Sequence, residues 1–300
     1  MDIQRFASNP LLRRRQHPTI GANLNGPSIM RAPEWLPNPL GRYYLYFSHH
    51  HGSFIRLATA DRLEGPWRVH PGGTLRREQT RCSDHIASPD VHVDHARRRI
   101  VMYFHGPLRP VPPELPANLQ AAGQYSFYSD SADGLHFIPK PEVLGAPYFR
   151  VFTWQGWTYA LGMPGIFYRS RDGVSGFERG PQLFSRAMRH TALLLRGDRL
   201  HVFYSNAGDC PERILHSAID LRVDWQAWQP SPAETVLAPE LEYEGAGLPL
   251  VASVRGWAPQ PVHQLRDPGI FEEDGRVYLF YSVAGEAGIG GAEILSGLAD

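Results

Sequence analysis

The chain lacks the features that would tie it to a membrane, to nucleic acid or to an oxidising compartment. Its 300 residues contain only two cysteines, Cys82 and Cys210, which is too few for a disulfide framework and typical of a reducing compartment. No apolar run approaches about 18 residues, and the N-terminus has no apolar core of the kind found in signal peptides. Basic and acidic residues balance at 30 each, so no net charge steers the chain toward nucleic acid. We therefore expect a cytoplasmic protein without nucleic-acid or membrane partners.

What the chain does have is a short pattern that recurs five times. The segment 41–48 (GRYYLYFS) returns at 275–282 (GRVYLFYS), and weaker copies begin at Arg99, Gly156 and Asp198. Each copy is a turn signal followed by β-branched and aromatic residues, which is typical of a hairpin leading into a strand. All-β units that recur about every 40–60 residues indicate a β-propeller with one blade per unit. The sequence therefore predicts an all-β, five-bladed β-propeller.

The five units account for most of the chain and predict a single domain over residues 1–300. Residues 1–22 form an N-terminal arm that closes or covers the ring. The connection at 231–261 is too long for an ordinary loop, so we expect it to have a function. The predicted blades span approximately 23–70, 83–140, 147–181, 188–230 and 262–295.

Polar residues open the innermost strand of several predicted blades. When the blades are aligned on their second strands, Asp267 of blade five corresponds to Gly26 of blade one and to His190 of blade four. The corresponding residue of blade two is Asp90. Such residues are unusual in a strand that is otherwise packed. A turn-forming polar residue before a strand is the ordinary alternative for any one of them. Together they predict that Asp90, His190 and Asp267 share one solvent-reaching pocket on the axis.

The blade openings also resemble those of a known group of enzymes. Residues 88–91 (SPDV) and 266–271 (RDPGIF) are similar to the blade-opening motifs of the five-bladed propeller glycosidases, the clan of glycoside hydrolase families 43, 32, 62, 68, 117 and 130. The resemblance extends over about 23–295. In the family 43 pattern an Asp before the first blade's Pro is the general base, and a Glu from a later blade is the general acid. An Asp in a Pro-Asp-Val run of blade two tunes pKa values and orients the substrate, a role that the resemblance gives to Asp90.

Two positions depart from this family pattern. Gly26 occupies the place of the first-blade Asp, so the usual base is missing. Blade three opens on Tyr148, Phe149 and Arg150 instead of a Glu. The resemblance therefore identifies the chain as an atypical member of the clan.

Glycoside hydrolysis requires one carboxylic acid and one carboxylate. We expect Asp90, Asp267 and Glu244 to be the catalytic residues, with Glu242, Asp84 and Glu286 as further candidates. Glu244 lies in the long connection beside small residues and is the predicted general acid, although it would equally suit a solvated loop. Arg266 would keep its neighbour Asp267 ionised, which favours a base, a nucleophile or a hydroxyl acceptor. Alternatively, Arg266 and Asp267 take part in a salt bridge between blades.

Several other residues are predicted to contact a substrate. His190 is also the alternative proton donor, because the neutral-range pKa of histidine suits proton transfer. Sugar rings are expected to stack on one or more of Trp154, Trp157, Trp257 and Tyr243. We expect no metal and no cofactor. The predicted substrate-binding residues are Arg266, His190, Asn25, His85, Arg150 and His49.

The leading hypothesis is a glycoside hydrolase that binds a small oligosaccharide or glycoside in an axial funnel. One alternative is a phosphorolytic enzyme of family 130 type, in which Arg150 and Arg266 would gather around phosphate in place of the missing base. Another is a non-catalytic carbohydrate-binding propeller, because a fold does not determine a function. The expected partner is a small-molecule carbohydrate, and homo-oligomerisation is left open.

Overall fold

The computed structural model describes residues 1–120 and 123–298 and confirms the predicted five-bladed β-propeller. The chain begins with two short strands, β1 (Asp2–Arg5) and β2 (Leu12–Arg13). Four antiparallel four-stranded sheets then follow in sequence, and in each of them consecutive strands are neighbours. Each recurring turn pattern forms the hairpin between the first and second strands of its blade.

The first four blades contain sixteen strands. Blade one consists of β3 (Asn25–Arg31), β4 (Tyr43–Ser48), β5 (Arg56–Ala60) and β6 (Arg68–His70). Blade two consists of β7 (Ala87–Asp94), β8 (Arg99–Pro107), β9 (Gln124–Ser131) and β10 (Ile138–Pro139). Blade three consists of β11 (Arg150–Trp154), β12 (Trp157–Gly162), β13 (Ile166–Ser170) and β14 (Glu178–Gln182). Blade four consists of β15 (Met188–Arg196), β16 (Arg199–Asn206), β17 (Ile214–Asp220) and β18 (Glu234–Leu237).

The fifth blade combines both ends of the chain. Its C-terminal part consists of β19 (Arg266–Glu273), β20 (Arg276–Val283) and β21 (Gly288–Ser296). Strand β1 pairs antiparallel with β21 as the outermost strand, and β2 pairs with the beginning of β21. The N-terminal arm therefore joins the first and last parts of the chain in one sheet.

Within residues 1–120 and 123–298, helical structure is confined to short segments between strands. The α-helix α1 (Ala117–Gln120) follows the proline-rich stretch after β8, and three 3-10 helices span Arg77–Gln79, Trp225–Ala227 and Glu242–Glu244. Strand β18 lies inside the connection predicted at 231–261, so blade four reaches beyond the predicted limit of residue 230. No helix in the described ranges is long and apolar enough to cross a membrane.

Five apolar clusters hold the blades together, and each lies between two neighbouring blades. The cluster between blades one and two includes Tyr46, Ile86 and Phe127, while Phe47 packs with Phe280 between blades one and five. The other three clusters join blades two and three, three and four, and four and five. Burial of apolar side chains, many of them aromatic, stabilises these contacts between blades. This explains why the recurring strands are rich in Tyr and Phe.

The innermost strands β3, β7, β11, β15 and β19 surround the axis. They line a cavity of about 490 Å³, which we call the axial cavity. We call the end of the ring at which these five strands begin the strand-start face. The two ends differ in chemistry, because buried charged groups gather at the strand-start face.

Candidate functional site

The innermost strands of blades one, two and five begin with the same backbone irregularity, and β15 of blade four has a bulge of the same kind between Met188 and Thr191. A bulge separates Asn25 from Ser28, Ala87 from Asp90, and Arg266 from Gly269, while only one residue intervenes on the partner strand. The backbone has a positive φ just inside each of these bulges and at the corresponding point of blade three: +58° at Gly26, +47° at Ser88, +65° at Tyr148 and +52° at Asp267. Non-glycine residues rarely adopt this conformation, and where they do it often marks a functional site.

This register corrects the alignment of blade two. Asp90 pairs with Tyr103 just as Gly269 pairs with Phe280, so the position equivalent to Asp267 is Ser88. Asp90 therefore lies two residues further along its strand. The bulge hides this offset in the sequence, because it adds a residue to one strand without changing the pattern of apolar positions.

Asp267 and His190 form an imidazole–carboxylate pair at the strand-start face. The His190 Nδ1 atom contacts Asp267 Oδ1, and the Ser282 hydroxyl donates to Asp267 Oδ2 over 3.1 Å. Both residues are buried. Burial, together with the positive charge of Arg189, lowers the pKa of His190 well below its usual value. His190 is therefore neutral, and a ring held through Nδ1 keeps Nε2 for proton transfer.

Two further rings extend this pair across the axis. The Tyr148 ring lies between those of His190 and His105, at centroid distances of 4.4 Å and 3.8 Å. Burial raises the pKa of Tyr148 to about 12, so its hydroxyl stays protonated at neutral pH. His105 is fully buried, and burial lowers its pKa well below the usual value. The strand-start face thus presents two neutral imidazoles and a protonated phenol.

A second imidazole–carboxylate pair joins blades one and five. Glu286 Oε2 lies 2.8 Å from His50 Nδ1 and accepts from Asn25 Nδ2 over 3.2 Å. Arg266 donates to Glu286 Oε1 over 3.3 Å. Burial opposes ionisation of Glu286, but the hydrogen bond from His50 and the charge of Arg266 outweigh it and lower the pKa of this carboxyl. Glu286 is therefore a buried, ionised carboxylate.

Arg266 is a structural link between carboxylates rather than a free clamp for an anion. Its guanidinium lies 3.1 Å from Glu212 and 3.3 Å from Glu286, and it also donates to the side-chain oxygen of Gln264. Arg189 lies 3.2 Å from the same Glu212 oxygen, Oε2. These contacts match the alternative of a salt bridge between blades, although the partners of Arg266 are Glu212 and Glu286, not Asp267.

Part of the long connection covers the strand-start face. Arg189 and Arg266 both donate to the carbonyl oxygen of Gly256, over 2.8 Å and 3.2 Å. Arg189 also donates to the carbonyl of Val254 over 3.1 Å. We call residues 253–257 the covering segment. Trp257 at its end is 37% exposed, and its ring lies 6.1 Å from that of His51 at the edge of this face.

Asp90 and Arg150 line the axial cavity, whereas His190 and Asp267 are not among its lining residues. Asp90 Oδ2 accepts from His92 over 2.9 Å and from the Val151 amide over 2.8 Å, and Arg150 lies 3.7 Å from Oδ1. Burial opposes ionisation of Asp90, but His92 and Arg150 lower its pKa. The expected single pocket for Asp90, His190 and Asp267 is therefore not found, because Asp90 lies deeper along the axis.

Glu244 lies far from both of these regions. It is fully buried in a 3-10 helix at the outer side of blade five, where Arg5 of β1 donates to it over 2.8 Å and 3.1 Å. The Tyr281 hydroxyl and the amides of Glu240 and Leu241 also donate to this carboxylate. This placement does not match the predicted general acid at a funnel mouth, because the carboxylate is fully buried and enclosed by protein hydrogen-bond donors.

The remaining predicted contact residues lie at the same end as the two pairs. Asn25 holds Glu286, as described above. His85 lies at the rim, beside Asp84. His49 is half-buried next to Arg56, and burial lowers its pKa to about 4. Arg150 is different, because it bridges blades by donating to the carbonyl oxygen of Thr191 over 2.8 Å.

Buried polar atoms without a protein hydrogen-bond partner are frequent at the strand-start face. Within residues 1–120 and 123–298 they include Asn25 Oδ1, His49 Nδ1, both ring nitrogens of His105, and Arg266 Nε. Buried polar groups are normally paired, so unpaired ones point to a substrate, an ion or water. This concentration identifies the strand-start face as the candidate functional site.

Sequence reasoning missed several members of this site. Glu286 was only a further candidate, and Glu212, Arg189, His50 and His105 had no assigned role. One signal was present in the sequence: Glu212 and Glu286 each lie two residues before the third strand of their blade. Recognition of this repeat would have required the strand boundaries.

Comparisons with known proteins agree with this architecture. No protein-family model matches the chain. The chain is 37% identical to "Uncharacterized protein R118" of Acanthamoeba polyphaga mimivirus over 97% of its own length and 90% of that protein.

Solved structures of propeller glycosidases superpose on most of the chain. A putative glycoside hydrolase from Parabacteroides distasonis has a TM-score of 0.70 at 10% identity, covering 99% of this chain and 97% of its own. A GH130 structure described in connection with β-1,2 mannosidic linkages has a TM-score of 0.68 at 12% identity, with coverages of 100% and 96%. A GH43_1 enzyme from Xanthomonas citri in complex with xylose has a TM-score of 0.59 at 12% identity, with coverages of 91% and 87%. The chain therefore belongs to the family of the mimivirus protein R118 and has the five-bladed propeller fold of the GH43 and GH130 enzymes.

Proposed function

We propose that this protein is a glycoside hydrolase whose reaction takes place at the strand-start face. The observation that carries the proposal is the Asp267–His190 pair beside the ionised carboxylate of Glu286. Glycoside hydrolysis needs a group that activates water, a group that protonates the leaving oxygen, and negative charge that stabilises the oxocarbenium-like transition state. The pair and Glu286 supply the first and the last of these.

The position of Asp267 supports this proposal. The family pattern expects an Asp before the Pro that opens blade one, where this chain has Gly26. Asp267 precedes Pro268 in blade five and has the same register and the same positive φ as Gly26. Because the blades are related by rotation about the axis, a carboxylate at this register approaches the axis from either blade. Asp267 of blade five thus takes the role of the Asp that blade one lacks.

Each side chain then has a distinct role. His190, which is neutral, accepts the proton of the attacking water, and Asp267 orients the ring and stabilises its charged form. Glu286 stabilises positive charge at the anomeric carbon. Tyr148 is half-buried and protonated, and it donates to the departing oxygen. Trp257 at the rim offers a ring for stacking on a sugar face.

A phosphorolytic reaction has less support. The guanidinium of Arg266 is occupied by Glu212, Glu286 and Gln264. That of Arg150 is occupied by backbone carbonyls and by Asp90. Neither side chain is free to bind phosphate in the way that the alternative requires.

The test is hydrolysis of a panel of aryl glycosides by the purified protein. The panel includes xylosides and mannosides, the sugars named for two of the structural neighbours. Asp267→Asn and His190→Gln should each lower kcat/KM by about 10²–10⁴-fold. Tyr148→Phe should slow poor leaving groups more than activated aryl ones. Glu244→Gln is the matched control, because it alters an equally buried carboxylate outside the site.

Three results would contradict the proposal. Wild-type rates in Asp267→Asn would remove the pair from the mechanism. Equal losses in Glu244→Gln and Asp267→Asn would show that the effect comes from general destabilisation. Sugar binding without turnover of any glycoside would identify a non-catalytic carbohydrate-binding propeller.

A further inference from the structure

Three potential metal ligands meet at the rim of the strand-start face. The Asp84 Oδ2 atom lies 3.2 Å from His85 Nδ1 and 3.7 Å from His51 Nδ1, and the three ligand atoms all lie within 4.8 Å of one another. Ligand atoms on a tetrahedral zinc ion are about 3.3–3.6 Å apart, given metal–ligand distances of about 2.0–2.2 Å. The observed spacing approaches this arrangement.

The two loops that carry these ligands are fastened to each other. His51 lies in the turn between β4 and β5, and Asp84 and His85 precede β7. The amide of Ile86 donates to the carbonyl of Gly52 over 3.1 Å, so each loop fixes the other next to its ligands. The amide of Ser83 is likewise held by the carbonyl of Pro107 over 2.9 Å. His51 has a positive φ of +57°, which is uncommon for residues other than glycine. Such a conformation persists only where the surroundings impose it.

The ring of His85 is held between Gln124 and Asp84. Its Nε2 atom lies 3.3 Å from Gln124 Oε1, and its Nδ1 atom faces the Asp84 carboxylate at 3.2 Å from Oδ2. Metal-bound histidines usually donate through their second nitrogen to a protein acceptor, which fixes the tautomer.

We propose that His51, Asp84 and His85 bind one divalent transition-metal ion, with Zn²⁺ as the first candidate. Two imidazoles and one carboxylate are ligands that suit such ions. From the sequence we expected no metal. His51 and Asp84 are 33 positions apart in the chain, so no local pattern indicates that their side chains converge.

The site leaves part of the coordination sphere open. His51 and Asp84 have side chains that are 61% and 52% exposed, so solvent or substrate oxygens can complete the ligand set. A metal with open positions binds and polarises oxygen ligands, in contrast to a closed structural site. Because the His51 ring lies 6.1 Å from Trp257 and 6.3 Å from His50, the ion would lie where a substrate enters. The proposal does not depend on the proposed hydrolase activity.

Metal binding by the purified, tag-free protein tests this proposal. After treatment with a chelator and its removal, Zn²⁺ is titrated by calorimetry, and Co²⁺ is followed by its visible absorption. Wild-type protein should bind one equivalent. His51→Ala and Asp84→Asn should each weaken binding by at least about tenfold. Both side chains are largely exposed, so circular dichroism should show an unchanged fold.

His136→Ala is the matched control. His136 is also an exposed histidine, with Nδ1 2.7 Å from Asp133, but no second imidazole joins that pair among the described clusters. Its replacement should leave the stoichiometry and affinity unchanged. The proposal is overturned if the wild type binds no stoichiometric metal, if His51→Ala and Asp84→Asn bind as the wild type does, or if His136→Ala loses binding to the same extent.

Discussion

Glu212 shows how a single buried charge supports the strand-start face. Its carboxylate is fully buried and lies 3.2 Å from Arg189 and 3.1 Å from Arg266, and the Ser205 hydroxyl donates to it over 2.6 Å. Removal of one partner from a buried ionic group leaves uncompensated charge in a poorly solvating interior. The arrangement therefore makes Glu212 important for stability without contact with substrate.

Glu212→Gln should lower the free energy of unfolding by about 3–5 kcal/mol, because two buried guanidiniums would lose their shared counter-charge. Urea unfolding followed by fluorescence measures this change. Asp220→Asn is the control, because Asp220 pairs with Arg222 at the surface. It should leave the unfolding midpoint nearly unchanged. Similar midpoints for the two variants would contradict a special role of the buried network.

Buried histidines make the stability of the protein depend on pH. Burial, with a smaller effect of His201, lowers the pKa of His216 to about 4. The unfolded chain binds a proton near pH 6.5, whereas the folded chain does so only near pH 4. The stabilising effect of a neutral His216 is thus fully present above pH 6.5 and is lost as the pH falls toward 4. The buried rings of His105 and His190 act in the same direction.

His216→Gln should make the pH dependence of stability less steep between about pH 6.5 and 4. The largest possible change is about 1.4 kcal/mol for each pH unit, the limit for one proton. Urea unfolding at a series of pH values measures the slope. His136→Gln, which alters an exposed ring, should keep the wild-type slope. An unchanged slope in His216→Gln would show that the ring is protonated as readily in the folded chain as in the unfolded one.

At the scale of elements, the bulge at the start of the innermost strands brings blades close together. At Gly26 a Cβ atom would lie only 2.9 Å from Ser88 Cα of the next blade, and φ is +58°. Blade one therefore has no room for the Asp that the family pattern expects. In blade five the equivalent residue is Asp267, which does accommodate a side chain with φ of +52°.

Gly26→Ala should destabilise the protein more than Gly197→Ala. Both glycines have positive φ, but nothing lies within 4 Å of a Cβ atom at Gly197. Gly197→Ala should therefore lower the free energy of unfolding only by the cost of placing alanine in a left-handed backbone conformation, about 1–2 kcal/mol. Crowding against Ser88 should add at least about 1 kcal/mol at Gly26. Thermal unfolding compares the two variants. Equal losses of stability would show that blade two shifts to make room for the new methyl group.

At the scale of the whole molecule, the N-terminal arm closes the ring. Strand β1 covers the outer edge of β21, and Arg5 of this strand pairs with Glu244. Without the arm, β21 would present unpaired backbone groups, which promote association with other chains. The long connection that holds Glu244 thus serves partly to anchor the closing strand.

Deletion of residues 1–14 should lower the unfolding temperature and promote aggregation, because it removes β1 and β2 and exposes the edge of β21. A synthetic peptide of residues 1–14 added in trans should restore stability by β-strand addition, whereas a scrambled peptide should not. Thermal unfolding and light scattering follow both effects. Wild-type stability of the truncated protein would show that closure is not needed for the ring.

The fold was predictable because its signal is local and repeated. The turn followed by β-branched and aromatic residues occurs in every blade, and the structure confirms five sheets around an axis. The aromatic residues of these strands fill the spaces between blades, so one pattern specifies both the strand and its packing. Each repeat needs only its neighbours to bury its apolar faces.

The candidate site was predictable only in part. Asp267 and His190 were predicted to share a pocket with Asp90, and the side chains of these two residues are in contact. Asp90 was assigned to the wrong register, because a bulge changes which residues are equivalent without altering the local pattern. Glu244 was chosen for its long connection, but its partner Arg5 lies 239 positions away in the chain. No local feature of the sequence indicates such a pairing.

The sequence by itself therefore determined the class of fold and the number of blades. Only the tertiary structure decided that Glu286 faces His50 and that Asp84 faces His51 and His85. The physical reason is that strand formation depends on neighbouring residues. The environment of a buried charge depends instead on how distant segments converge around the axis.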